Sequence, residues 1–255
     1  MDRWLAGREI TGAAADLTAA PRTAILGQRA LKTLIGDRVL TVEAQGKHLL
    51  VRLSSGRTIH THMRMQGSWH VYPAGERWQR PRSQARLVLE AGDHVAVCFN
   101  APVVELLRDV EAVAHPSLSA LGPDVLAGAF DLTEALTRAA AQPGATEIGD
   151  LLLDQRVVAG IGNIWRCETL FLAGLHPRRP VGSIGDDSLG AVFETASDLM
   201  RRSVSDGRGN ERWVYGRTGR PCRRCGTLVV SRRVGAGART AYWCPSCQSD
   251  WAPSL

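Results

Sequence analysis

At 255 residues with 44% hydrophobic content, the chain can build one large domain or two medium ones around ordinary cores. No apolar run approaches the roughly 18 residues of a membrane span, which excludes the helical membrane-protein classes. A formal charge of +6 and a pI of about 9.3 point to a polyanionic partner, and the charge is uneven: from Arg208 onward nine arginines stand against Glu211 and Asp250.

The first residues, Met1–Ile10, read as the last turns of a helix running out at Gly7, with no beginning to that helix inside the chain. From Ile35 the period switches to strands at 39–43, 49–53 and 58–63, with Ser54–Arg57 as a hairpin turn. A second pair, 86–90 and 94–99, flanks Ala91-Gly92-Asp93. Residues up to about 112 therefore read as an antiparallel β-sandwich or barrel. His115-Pro116 and Gly122-Pro123 mark the change to a helical part that extends to about 207. Helices are expected at 131–141, from Thr146 through Gln155, from Asn163 to Gly174, and at 188–204. Between the second and third lies Gly160-Ile-Gly162-Asn163, a turn whose backbone amides face outward at a helix N-terminus, a geometry suited to a phosphate.

The last part, 208–255, is organised by Cys222-x-x-Cys225 and Cys244-x-x-Cys247. Two such pairs have the spacing of a four-thiolate structural Zn²⁺ site; two disulfides are the alternative. Strands at 227–231 and 240–243 would make a ribbon hairpin, with Arg232 to Arg239 as its basic tip. His60 and His62 share a strand face and are assigned to packing, with no carboxylate at ligand spacing; Cys98 and Cys167 are assigned as buried thiols. Of 31 lysines and arginines only Lys32 and Lys47 are lysine, in an Ala/Arg/Gly-rich composition of the kind a GC-rich bacterial genome produces. A lysine can lose its proton within reach of neutral pH where a guanidinium cannot, which draws attention to Lys47.

Several motifs agree on one family. Gln45-Gly-Lys-His-Leu49, His115-Pro-Ser-Leu, Gly122-Pro-Asp124, Leu153-Asp-Gln-Arg-Val-Val-Ala-Gly-Ile-Gly-Asn163, Trp213-Val-Tyr-Gly-Arg217 and the cysteine ribbon stand in family order from about residue 3 to 248. The chain closely resembles the formamidopyrimidine-DNA glycosylase / endonuclease VIII family. That resemblance implies an α+β protein: an N-terminal β-sandwich, a helix-two-turn-helix domain and a zinc finger with one structural zinc. It also implies base-excision repair, in which a damaged base is flipped out, its glycosidic bond cut and the strand nicked at the abasic site. The implied partner is damaged double-stranded DNA, with single-stranded or forked DNA as a further form. The protein is expected to be a monomer in the cytoplasm, associated with the nucleoid and not with a membrane.

Residue by residue, Lys47 resembles the lysine that acts at the phosphate and abasic sugar during elimination. Arg239 resembles the ribbon arginine that contacts phosphates at the flipped nucleotide and assists the second elimination. Asn163 resembles the turn asparagine that grips the backbone beside the lesion, a role compatible with a plain helix cap. Gly162, Tyr215 and Arg217 belong to the same implied DNA-contacting set. Met65 falls where the family inserts an apolar wedge into the base stack, a core methionine being the alternative. Glu168 resembles a structural carboxylate of the second helix.

Two departures matter. Where the purine-excising branch carries an Arg-Arg-Phe segment, this chain reads Cys98-Phe-Asn-Ala-Pro102, which resembles the endonuclease VIII branch and its oxidised pyrimidine substrates. The family nucleophile is an N-terminal proline followed by a catalytic glutamate, whereas this chain begins Met1-Asp2-Arg3-Trp4, at the end of the corresponding helix. Two expectations follow: a glycosylase/AP lyase whose written start is too late, or a catalytically silent binder of damaged or abasic DNA.

Overall fold

The computed structural model describes residues 1–15, 26–64, 66–206 and 212–249, in two compact units, 1–119 and 120–255. Met65 lies outside the described residues. No helix among the described residues is long and apolar enough to cross a membrane.

The first unit opens with a single helical turn, α1 (Asp2–Leu5), which buries Leu5 and exits through Gly7 at φ +79°. Strand β1 (Ile10–Ala14) and helix α2 (Gln28–Lys32) follow. The strands β2 (Val39–Gln45), β3 (His48–Leu53) and β4 (Arg57–His62) form a meander. Then come β5 (Ser68–Pro73), β6 (Ala85–Ala91), β7 (His94–Phe99) and β8 (Val103–Arg108). They make two antiparallel four-stranded sheets, ordered β1-β6-β7-β5 and β2-β3-β4-β8. Leu53, Ile59 and Val104 of one sheet meet Leu87, Leu89 and Cys98 of the other in a shared core, closed by Leu5, Leu31 and Leu34. Short helices α3 (Asp109–Ala114) and α4 (Pro116–Ser119) end the unit.

Three of these strands, β1, β5 and β8, were not expected from sequence. In β5 only Tyr72 is buried, the four residues before it are half-buried and Pro73 is exposed, so no alternation marks it. The β7–β8 connection is a three-residue turn, with Asn100 at φ +51° held to Gln84 through both its backbone and its side chain.

The second unit contains α5 (Leu132–Ala140), α6 (Ile148–Leu151), α7 (Asn163–Leu172) and α8 (Asp186–Asp206), then a two-stranded ribbon, β9 (Val230–Val234) and β10 (Arg239–Trp243). Asp131 caps α5 by accepting from the Glu134 N–H at 2.9 Å. Ile148, Leu152, Leu170, Val192 and Phe193 are fully buried in the helical core. A second core joins α7 to the ribbon through Cys167, Phe171, Val214, Ala241 and Trp243.

The helix expected from Thr146 through Gln155 is a single turn capped at Glu147. Asp154 stops it: its carboxylate accepts from the Arg156 backbone and pairs with the Arg156 guanidinium, opening a tight turn. The ribbon also differs from expectation. Its strands start three residues later and one residue earlier than the spacing suggested, so Arg232 and Arg233 sit on β9 opposite Ala241 and Thr240, and the turn is 235–238.

Candidate nucleic-acid interface

In the helical unit the candidate interface is built on the turn before α7. Gly160 takes φ +98°, a left-handed conformation that L side chains rarely adopt, and a Cβ there would press on Asp124 and Val125 at 3.2 Å. Gln155 braces the turn from inside, donating to the Leu153 and Ile161 carbonyls and accepting the Gly160 N–H at 3.0 Å. It therefore belongs to the turn and not to a helical face. Gly122-Pro-Asp124 lies alongside: Gly122 N–H donates to the Gln155 carbonyl and Ala159 N–H to the Pro123 carbonyl, both at 2.9 Å. Two motifs 30 residues apart in sequence thus form one lock. Gly162 caps α7 with an extended backbone and no side chain, which leaves the first amides of the ten-residue helix without a side-chain cap.

Asn163, the first residue of α7, donates its side-chain amide to the Thr240 carbonyl of β10 at 2.9 Å. Arg166, fully buried one turn later, donates to the same carbonyl at 3.1 Å. Asp150 of α6 accepts the Ala236 N–H at 2.7 Å, so close that a Cβ at Gly235 would collide with its carboxylate. The helix N-terminus and the strand that begins with exposed Arg239 are thereby held as one piece.

Glu168 is almost completely buried and accepts three consecutive backbone N–H groups, from Trp213 at 2.7 Å, Val214 at 3.1 Å and Tyr215 at 2.8 Å. A carboxylate with this many amide donors organises the chain entering the cysteine cluster. The Tyr215 ring packs on Tyr242 at 4.9 Å with the Arg212 guanidinium over it. Arg217 donates to the Pro221 carbonyl at 2.9 Å, beside the first cysteine knuckle.

The sulfurs of Cys222, Cys225, Cys244 and Cys247 lie within 4.8 Å of one another. Cys225 and Cys244 are 3.4 Å apart and Cys222 and Cys247 4.0 Å. A tetrahedral Zn²⁺ with bonds of about 2.3 Å sets its sulfurs roughly 3.8 Å apart, between those two separations. Backbone N–H groups of Arg224 and Cys247 point at sulfurs of the cluster, as outer hydrogen bonds to thiolates do. The donor set fits the metal.

In the β-sandwich unit, Lys47 occupies the two-residue turn of the β2–β3 hairpin, where Gly46 takes φ +59°. Beside it lies a row of histidines, of which His60 and His62 are expected from sequence to serve packing, with no carboxylate at ligand spacing. The structure supplies one. Glu105 of β8 pairs in register with His60 and receives its Nδ1 at 2.8 Å, while His60 Nε2 meets His48 Nδ1 at 2.7 Å. His62 packs edge-on against His48, and His115 against His60. Burial, with the positive fields of His62, His60 and His115, pushes His48 down to about 3. Burial likewise lowers His60, against the opposing pull of Glu105, and lowers His62 together with Arg64. Cys98 and Cys167 are buried thiols, as expected, and burial raises the pKa of each.

The formamidopyrimidine-DNA glycosylase N-terminal domain profile matches residues 1–102, the H2TH domain profile of the same family 121–213, and the zinc finger found in FPG and IleRS 219–249. The chain is 39% identical to the probable endonuclease 8 2 of Streptomyces coelicolor, over 98% of this chain and 93% of that protein. It is 38% identical to the DNA-(apurinic or apyrimidinic site) lyase Nei2 of Mycolicibacterium smegmatis, over 85% and 84%. The Lactococcus lactis formamidopyrimidine-DNA glycosylase, solved non-covalently bound to DNA with an AP site, shares the fold with a TM-score of 0.82 at 22% identity, over 98% and 95% of the two chains. The chain belongs to the formamidopyrimidine-DNA glycosylase / endonuclease VIII family of DNA-repair glycosylases and AP lyases.

Proposed function

We propose that the chain binds damaged duplex DNA as a monomer, excises oxidised pyrimidines and nicks the abasic product. The observation that carries this reading is the Asn163–Thr240 hydrogen bond, which ties the amide-rich start of α7 to the strand that begins with Arg239. A helix N-terminus and an exposed guanidinium fixed together suit two phosphates flanking an everted nucleotide. Lys47, Gly162, Tyr215 and Arg217 complete the proposed contact set, with Met65 as the wedge. One Zn²⁺ held by the four cysteines would fold the ribbon and supply no chemistry of its own. The working division is a β-sandwich at 1–112, a helical part at 113–207 and a finger at 208–255.

In the proposed reaction a secondary amine attacks the sugar C1′ and the damaged base leaves, giving an iminium. A proton is then lost from C2′ and the 3′ phosphate departs, with Lys47 at the phosphate and abasic sugar. Arg239 assists the second elimination. The pyrimidine preference rests on the β7–β8 turn. It is only three residues long and pinned to Gln84, so it presents no long segment to fill the void.

The secondary amine is the amino-terminal proline that the family resemblance implies. The alternative reading is a protein of the same fold that grips abasic DNA without cutting it. Borohydride trapping on an abasic duplex, with the intact mass of the protein from its native cell, separates the two. A covalent adduct, with a mass above 27.6 kDa and proline at the amino terminus, supports the enzyme. Tight binding with no adduct and a mass matching Met1–Leu255 supports the binder. Duplexes bearing thymine glycol or 8-oxoguanine test the base preference, and single-stranded or forked versions test the DNA form.

A further inference from the structure

We propose that His60, Glu105 and His115 form a second metal site, for a borderline divalent cation of the Zn²⁺ or Ni²⁺ type, inside the β-sandwich unit. One ligand atom from each of the three lies within 4.8 Å of the others. Glu105 Oε2 is 2.8 Å from His60 Nδ1 and 3.4 Å from His115 Nε2. Bonds of about 2.0–2.2 Å to one cation place neighbouring ligand atoms roughly 3.0–3.5 Å apart, so only small side-chain adjustments close the site.

The surroundings point the same way. Each imidazole that offers one nitrogen to the cluster has its other nitrogen held. His60 Nε2 meets His48 Nδ1 at 2.7 Å, and His115 Nδ1 meets Ser117 Oγ at 2.9 Å. Such outer partners orient metal-binding histidines and fix their tautomer. The backbone is equally committed: His60 and Glu105 are register partners across β4 and β8, and His115 is fixed at the end of α3. His60 is buried, while the Glu105 and His115 side chains keep 27% and 21% exposure, enough for an ion to enter. Two imidazoles and one carboxylate select Zn²⁺, Ni²⁺ or Co²⁺ over Mg²⁺ and Ca²⁺, and three protein ligands leave a position open to water.

Occupation would be felt at the DNA-facing hairpin. With the cation on His60 Nδ1, the His60 ring proton sits on Nε2 and donates to His48 Nδ1. The His48 proton then moves to its own Nε2, in the residue next to Lys47. If His60 starts by donating Nδ1–H to Glu105 and accepting from His48 Nδ1–H, both rings change tautomer and no proton is lost.

The test uses the full chain with its ribbon zinc in place. After equilibration with Zn²⁺ and removal of free ion, elemental analysis should find two zinc atoms per wild-type chain. H115Q and E105Q should return one, and C225S should lose the other. Saturating Ni²⁺ should raise the Tm of the wild type and leave that of H115Q unchanged, a readout that holds even if C225S fails to fold. One zinc per wild-type chain overturns the site, and so does a second zinc that survives both H115Q and E105Q. In either case the cluster is a carboxylate hydrogen-bonded between two imidazoles.

Discussion

Asn163 and Thr240 are 77 residues apart in sequence and 2.9 Å apart in space, joined by a side-chain amide donating to a backbone carbonyl. The bond fastens β10 to the first residue of α7, and Arg166 from the next turn donates to the same carbonyl. Substituting Asn163 therefore does two things: it removes an amide at the proposed phosphate site and loosens the strand that starts with Arg239. The side chain is neutral and Arg166 still holds the Thr240 carbonyl, so N163A should weaken duplex binding with a smaller change in salt dependence than the loss of Arg239 brings. R239A should weaken it and also reduce the slope of log K against log salt by about 0.9, the value for one phosphate contact. Fluorescence anisotropy over a salt series measures both. An R239A slope equal to that of the wild type would remove Arg239 from the contact set.

Glu168 is the structural counterpart of that contact. Replacing it with alanine leaves the amides of Trp213, Val214 and Tyr215 without their acceptor in a buried setting. Each unsatisfied buried amide costs about 1–3 kcal/mol, so E168A should destabilise the helical and ribbon unit by roughly 3 kcal/mol or more. E168Q keeps one acceptor oxygen and should lose less. Denaturant unfolding of both variants gives the order, and equal losses would show that one neutral amide oxygen cannot stand in for the carboxylate.

The residues that announced themselves in the sequence are those whose side chains or backbone freedom carry the chemistry. Four cysteines in two close pairs, and glycines at Gly160 and Gly162, have few other uses. Glu105 was invisible because its importance lies in pairing with His60 across 45 residues, a register that no local period encodes. Gln155 read as a helical position because it follows Leu151 at helical spacing. The Asp154–Arg156 contact diverts the chain before that residue is reached. Arg232 and Arg233 were read into the turn because the hairpin was framed by its glycines, whereas the turn is set by Asp150, which accepts from Ala236.

Asp37 is one carboxylate through which the sandwich unit should be sensitive to acid. Burial alone would raise its pKa, but hydrogen bonds from Ser55 and Ser54 and the Arg57 guanidinium outweigh it and hold the carboxyl below its ordinary value. A folded-state pKa below the unfolded one means stability that is full above the unfolded value of about 3.9 and is lost as pH falls through the folded one. The stability gap between wild type and D37N should be constant from pH 5 to 7, at roughly 1–3 kcal/mol, and close progressively below about pH 4. Urea midpoints across that range measure it. A gap that widens on acidification would mean that the carboxyl is not held in its charged form.

The ribbon can be loosened in two ways that differ in what happens to the metal. C225S removes one of four sulfurs, and because folding of a small metal hairpin is linked to its ion, zinc should be released and duplex affinity should fall. D150A leaves all four cysteines in place but frees the turn at Gly235 and Ala236, which the Asp150 carboxylate holds at 2.7 Å from the Ala236 nitrogen. It should retain zinc and still lose affinity, by roughly tenfold if the lost hydrogen bond carries about 1.4 kcal/mol of positioning. Zinc content and anisotropy on the same preparations decide the matter. If D150A bound DNA as the wild type does, the turn would be held for stability alone, and the grip would reside in the start of α7.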